Sequence, residues 1–377
     1  MNPEQDNKTD LPELRPEASL QGADLAGEEL EDVDLRGADL REARFEGALL
    51  VGVDLTGADL SGAHFAGARL QDCLLEDAEL SEAVFTGACL ESCLLEGAKM
   101  GGAMLDRVEI VESDLSGVQL EGASLQEGRL ISSLFNEAVL VQANLRGARI
   151  YQSSFARANL SGCNFAEATG ELASFEEARM VKVDFSEADL RTCLFKHATV
   201  IEATCRETIL SGSIFDHACL AGSAFEEAQL VRIHALRADF SACRFINTRC
   251  VESTFARASL HQAAFLEAVL DYANFEFADL RGARLSKTQA QQANFVGVDL
   301  TGAQAGECLF FGADFWWAET DGFEVRESDM KHARMPEATR VKTAPRARPP
   351  TVTPKPLYRK AATPEKRARH KADALQK

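Results

Sequence analysis

The chain has 377 residues, of which 46% are hydrophobic, and its formal net charge is −19. This is enough material for a large core, and because no run of 18 apolar residues occurs we expect no transmembrane helix. The charge is divided unevenly, since residues 337–377 hold 12 Lys/Arg against 3 Asp/Glu while residues 1–336 hold 28 against 56. An acidic body with a basic tail indicates something about partners rather than about fold.

The first residues are polar and acidic, without the positive start and apolar stretch of a secretory signal. We therefore expect residues 1–17 to form a flexible lead-in and the protein to be cytoplasmic. The ten cysteines show no CxxC spacing, and most lie where the pattern described next places buried residues. Free thiols in a reducing compartment are the expectation.

A large apolar residue then recurs at every fifth position from Leu20 to Met335, and 57 of these 64 positions hold Leu, Phe, Ile, Met or Val. A small residue lies two positions earlier, as in the segment Ala58-Asp59-Leu60-Ser61-Gly62. Neither a helix nor a flat strand keeps a five-residue period on one face. The pattern fits a chain that turns a corner once per repeat, so that four short sides close a square coil of 20 residues.

Residues 20 apart should therefore stack, and the phenylalanines agree. One side carries phenylalanine at 135, 155, 175, 195 and 215, and the opposite side carries it at 45, 65 and 85 and again further along. The first ladder breaks at Ala235, where the neighbouring small position is enlarged to Ile233. This exchange conserves core volume and supports an inward orientation for both positions.

The pattern resembles the pentapeptide repeat family, whose phrase is A-(D/N)-L-x-x. The resemblance implies an all-β, right-handed quadrilateral parallel β-helix over residues 18–335, with about 16 coils. Every proline lies at Pro3, Pro12, Pro16 or from Pro336 onward, so none interrupts the repeat. Residues 336–377 are rich in Pro, Lys and Arg and are expected to be disordered, with a short helix at 364–376 as a possible exception.

The sequence predicts no catalytic, cofactor-binding or metal-binding residues. It contains no phosphate-binding glycine loop, nucleophile elbow or Cys/His zinc spacing. His197, His217 and Glu177 should stack at one corner, but no fourth ligand is evident. We therefore expect a non-enzymatic protein without a cofactor.

Outward positions are the candidates for binding. One outward column is unusually apolar and predicts a protein interface, and an aromatic cluster near the end of the repeats is either a cap or a docking site. A second column is acidic, which favours solubility or imitation of DNA. The predicted interface residues are Leu74, Leu94, Leu134, Leu194 and Ile214 in the column and Phe277, Val296, Trp316 and Trp317 in the cluster, and the acidic column comprises Asp39, Asp59, Glu79, Asp239, Asp279, Asp299 and Glu319.

The leading hypothesis is a bacterial protein-interaction scaffold that presents these surfaces to a protein partner. A second copy of the chain is an alternative occupant, and the basic tail could contact nucleic acid or an anionic surface weakly. The resemblance implies two alternative functions. One is a DNA mimic that binds DNA gyrase or another topoisomerase, and the other is an accessory or adaptor protein of type VI secretion.

Overall fold

A computed structural model describes residues 13–336, and these residues form short strands joined by tight turns. The strands lie in two parallel sheets, the first built from β1 to β8 and the second from β9 to β14. The strands are β1 (Glu29–Glu31), β2 (Leu49–Val51), β3 (Arg69–Gln71), β4 (Cys89–Glu91), β5 (Glu109–Val111), β6 (Arg129–Ile131), β7 (Arg149–Tyr151), β8 (Thr169–Glu171), β9 (Ala224–Glu226), β10 (Arg244–Ile246), β11 (Ala264–Leu266), β12 (Arg284–Ser286), β13 (Gln304–Gly306) and β14 (Glu324–Arg326).

Within each sheet, neighbouring strands pair in register with residues 20 positions apart, as Leu30 does with Leu50. On another side of the coil, 15 successive parallel bridges lead from Ser19 to Glu319. The expected all-β parallel solenoid with 20-residue coils is thus confirmed. It has about 15 turns rather than 16, since 16 stacked positions are separated by 15 steps.

The solenoid begins close to the first described residues. Leu14 packs against the core, and the Glu17 backbone N–H donates to the Arg36 carbonyl at 2.9 Å. Within residues 13–336 no helix is long and apolar enough to cross a membrane. The expected disorder of the basic tail and the helix at 364–376 fall outside the described residues.

Both inward positions of the repeat are buried, and the phenylalanine ladders form the centre of the core. The rings of Phe45 and Phe65 stack with their centroids 4.6 Å apart, and those of Phe195 and Phe215 with theirs 4.7 Å apart. The two ladders also contact each other across the coil, where the Phe165 ring lies edge-on to the Phe175 ring, with centroids 6.1 Å apart and an angle of 88° between the ring planes. Stacked and edge-on contacts are the geometries that aromatic pairs prefer.

Most corners are tight turns in which the small inward residue donates its backbone N–H to the preceding large residue. At the corner after Leu60, the Ala63 N–H donates to the Leu60 carbonyl at 2.9 Å. The second corner residue has a left-handed backbone, which Gly62 adopts with φ 66° without a steric penalty. Longer side chains also occupy this position, as Glu187 does with φ 61°.

At the corners that follow β4, β5 and β6, buried serines of the next coil accept this hydrogen bond instead. The Cys93 backbone N–H donates to Ser113 Oγ at 3.0 Å, and the Ser113 N–H donates to Ser133 Oγ at 3.2 Å. The Ser133 hydroxyl in turn donates to the Ile131 carbonyl at 2.8 Å. At these corners the serine of the next coil therefore supplies an acceptor for a buried N–H that makes no local turn bond.

Replacing Ser133 with Ala should lower the free energy of unfolding by roughly 1–2 kcal/mol, because the buried Ser113 N–H loses its acceptor. Urea unfolding followed by circular dichroism measures the change. Ser81→Ala, at a half-buried corner position, is the matched control and should change stability by less than about 0.5 kcal/mol. Equal losses in the two variants would contradict the role assigned to Ser133.

Candidate protein-interaction surfaces

The described residues do not assemble a metal centre. Across residues 13–336 no group of three or more His, Cys, Asp or Glu side chains could hold a metal ion. The rings of His197 and His217 do stack, 5.0 Å apart, but Glu177 is engaged by Arg157 Nε at 3.0 Å. All ten cysteines are free, and burial raises the pKa of the Cys163 thiol to about 12, so this thiol is inert.

The predicted leucine column exists as two separate groups on one flat side. Leu74 pairs with Leu94, which pairs with Asp114, which pairs with Leu134. Leu94 and Leu134 are each 40% exposed. Leu194 and Ile214 also pair with each other, but Ser154 and Ser174 separate them from the first group.

Three further apolar residues widen the first group, and the sequence analysis missed them. Val111, Ile131 and Tyr151 end β5, β6 and β7 and stack in register at the corner that precedes the leucine side. Tyr151 is 43% exposed, and the other two are half-buried. Corner positions accept almost any residue, so the only available signal was apolar character at three positions 20 apart. The lateral apolar patch comprises Leu74, Leu94, Leu134, Val111, Ile131 and Tyr151.

The aromatic cluster, Phe277, Val296, Trp316 and Trp317, lies at one corner near the last coils and is called the aromatic corner below. The two indole rings are 6.1 Å apart. The guanidinium of Arg334 lies 4.0 Å from the centre of the Trp316 ring and 3.5 Å from the Asp314 carboxylate. Asp314 also accepts the Trp316 backbone N–H at 2.9 Å, so a single carboxylate positions both members of this cation–π pair.

Phe277 is fixed by the glycine of the next coil. A Cβ added to Gly297 would come within 2.5 Å of the Phe277 ring, so the ring lies directly over the glycine backbone. The Arg257 guanidinium lies 5.4 Å from the centre of the same Phe277 ring. This arrangement keeps the ring in one place while leaving Phe277 38% exposed.

The aromatic corner does not act as a cap for the last coil. Trp317 is 48% exposed, and the inward side chains of the final coil, Val325 and Met335, remain 38% and 44% exposed. A cap would have covered these two residues. Of the two interpretations of the cluster, an exposed docking surface therefore agrees better with the geometry.

The acidic column is stacked as expected, and basic residues interrupt its charge. Asp39 pairs with Asp59, and Asp279 pairs with Asp299. Arg41 lies 2.7 Å from Asp39 and 3.7 Å from Asp59, and its hydrogen bond to Asp39 lowers the pKa of that carboxyl group. Arg281 bridges the second pair in the same way, at 2.5 Å and 3.8 Å. Carboxylates neutralised like this imitate a phosphate backbone less well.

Comparison with known families gives matches along more than half of the chain. A model of pentapeptide repeats matches residues 18–57, 29–65, 58–97, 249–286 and 268–304, and a model of a pentapeptide repeat region matches residues 128–205. No curated protein sequence matches.

Several solved structures are also similar. HetL, a pentapeptide repeat protein involved in heterocyst differentiation regulation in the cyanobacterium Nostoc, is 19% identical, with 77% of this chain and 90% of that chain covered and a TM-score of 0.19. A plasmid-mediated fluoroquinolone resistance protein, QnrB1, is 16% identical, with 55% and 89% covered and a TM-score of 0.24. A thylakoid-lumen pentapeptide repeat protein of Arabidopsis thaliana is 27% identical, with 30% and 66% covered and a TM-score of 0.23.

Proposed function

Because the chain belongs to the pentapeptide repeat family, whose fold specifies a scaffold rather than a reaction, we propose that it is a non-enzymatic protein-interaction scaffold. It presents two outward surfaces to protein partners, the lateral apolar patch and the aromatic corner. The observation that carries this proposal is the lateral apolar patch. Six apolar side chains lie there on adjacent coils around Asp114, which stands between Leu94 and Leu134.

The backbone beneath this patch is rigid, which lowers the entropy that binding must overcome. Each patch residue belongs to a ladder in which its neighbours 20 residues away are fixed by backbone hydrogen bonds, such as the one from Leu94 N–H to the Cys73 carbonyl at 3.0 Å. Exposed apolar groups held in a contiguous area are typical of protein-binding sites, whereas single exposed residues are not.

Changing Leu74, Leu94 and Leu134 together to Ser should reduce capture of the partner at least tenfold. The side chains point outward, so the circular dichroism spectrum should stay unchanged. Affinity purification with quantitative mass spectrometry, comparing the variant with the parent chain, identifies the proteins whose capture depends on the patch. The matched control changes Leu236, Leu266 and Leu309, which are 38%, 40% and 41% exposed elsewhere on the surface, to Ser. Equal capture by the parent chain and the patch variant would refute the assignment of this surface.

The structure bears on one of the two alternative functions, the DNA mimic, and not on the role in type VI secretion. The ion pairs along the acidic column weaken the support for a DNA mimic that binds gyrase. A role in type VI secretion stays a prediction that the genes adjacent to this one can test.

A further inference from the structure

We propose that the aromatic corner binds an extended, basic, proline-rich segment of a partner protein. The inference rests on the proposed scaffold function and names the chemistry of the partner for one of its two surfaces. Three observations lead to it: the spacing of the corner positions that carry Phe277 and Trp317, the contacts that hold Phe277 and Trp316 in place, and the surplus of carboxylates around them.

The spacing of the two corner positions that carry Phe277 and Trp317 matches the repeat of a polyproline II helix. These residues occupy the same corner position two coils apart, and coils stack at the separation of paired strands, so their backbones are about 9.6 Å apart. Both have the left-handed backbone of the corner, with φ 55° and 62°, so their side chains leave the coil in the same direction. A polyproline II helix has three residues per turn and a rise of about 3.1 Å per residue, so residues i and i+3 lie on one side about 9.3 Å apart. Two prolines three residues apart would therefore match the spacing of these two positions.

Part of the corner is preformed, which suits a ligand that is itself rigid and extended. The Phe277 ring is held against Gly297, and Trp316, whose ring lies 6.1 Å from that of Trp317, is held by Arg334 and Asp314, so Phe277 and Trp316 need not be ordered on binding. Exposed aromatic surfaces of this kind are what proline-rich segments use, because the polyproline II conformation is present before binding and costs little entropy.

Charge selects a basic ligand over an acidic one. The exposed rings run beside the late part of the acidic column, and further carboxylates lie at the same corner and on the sides next to it. Among the described residues at these places and at the next corner, three arginines accompany them, and two of the three are paired with these same acids. The carboxylates are Glu276, Asp279, Asp299, Asp314, Glu319 and Asp321, and the arginines are Arg257, Arg281 and Arg334.

The proline spacing of this chain's own basic tail argues for a separate partner. Its prolines between residues 345 and 356 are Pro345, Pro349, Pro350, Pro354 and Pro356, and no two of them are three residues apart. A peptide of residues 344–357 has the right charge and the wrong spacing, so it serves as a natural control.

The test uses the full chain and a fluorescein-labelled ten-residue peptide that carries two prolines three residues apart and three arginines. The chain contains two tryptophans, and both lie in the aromatic corner, so their emission reports contact at this place. We expect saturable binding by anisotropy together with a shift of tryptophan emission. Trp317→Ala and Phe277→Ala should each weaken binding at least tenfold, Glu276→Gln about twofold or more, and Phe311→Ala, at another corner and 39% exposed, not at all.

Two altered peptides make the test specific. A peptide of the same composition with its prolines four residues apart should bind at least tenfold more weakly, and one with glutamates in place of arginines should not bind. Equal binding of the spacing control, or preference for the acidic peptide or for single-stranded DNA, would overturn the proposal. Binding of the 344–357 peptide as tightly as the probe would assign the site to the chain's own segment and overturn the assignment to a partner. If no peptide binds while partner capture still depends on the lateral apolar patch, this inference fails and the scaffold function stands.

Discussion

Replacing Phe175 with Ala should lower the free energy of unfolding by about 3–5 kcal/mol. The Phe175 ring is fully buried and stacks between Phe155 and Phe195 at centroid distances of 5.4 Å and 5.0 Å. It also meets Phe165 of the opposite ladder edge-on at 6.1 Å. Its removal therefore leaves a cavity that borders three coils, and the rigid backbone ladder prevents the neighbours from closing it.

Urea unfolding followed by circular dichroism measures this loss. Phe311→Ala is the matched control, since Phe311 is 39% exposed at a corner and contacts His332 with a ring distance of 5.1 Å. We expect this control to change stability by less than about 0.5 kcal/mol. Similar losses in both variants would mean that the ladder is not the main source of core stability. Because a solenoid coil contacts only its neighbours, limited proteolysis should also locate the damage around residue 175.

The phenylalanine ladders show how much of this fold could be predicted from sequence. Their 20-residue spacing determined the coil length, and the pairing of Ala235 with Ile233 indicated that both positions face inward, where the structure places them. These predictions succeed because each inward position meets the same surroundings in every coil. The same surroundings in every coil favour the same residue types at the same position of every repeat.

Features that depend on contacts between coils could not be predicted in this way. The three-residue strands lie on one side of the coil up to Glu171 and on another side from Ala224 onward. The two arrangements differ in the donor to the carbonyl that precedes the corner. It accepts a hydrogen bond either from a backbone N–H of its own turn or from a side chain of the following coil, as the Ile110 carbonyl does from Ser133 Oγ at 3.4 Å. A serine can serve either arrangement, so its position in the repeat does not reveal which one occurs.

The candidate surfaces likewise have a part that the repeat predicts and a part that it does not. The leucine column was predictable because it is a regular outward column. The fit of Phe277 over Gly297 was not, because it depends on a side chain leaning into space that a missing side chain in the next coil has left. The irregular outward positions are therefore the part of the candidate surfaces that a one-coil pattern does not predict.

Gly170 provides a second strong prediction, and its direction is opposite to the one that the repeat indicates. The position belongs to the large inward set, so a leucine would restore the pattern. In the structure, however, a Cβ added at Gly170 would come within 2.8 Å of Leu190 Cδ2, because the leucine of the next coil already fills the space. Gly170→Leu should therefore destabilise the protein by about 1–3 kcal/mol through overpacking.

A double-mutant cycle separates overpacking from other causes. Leu190→Ala alone should cost about 2–5 kcal/mol, since Leu190 is fully buried. The double variant Gly170→Leu/Leu190→Ala should recover at least about 1 kcal/mol relative to the sum of the single changes, because the new leucine occupies the space that the old one vacates. Strict additivity in urea unfolding would show that the two positions do not share one volume. The expected coupling would show instead that core volume is conserved between coils as well as within a repeat, which is why an exception to the pattern can be as specific as the pattern itself.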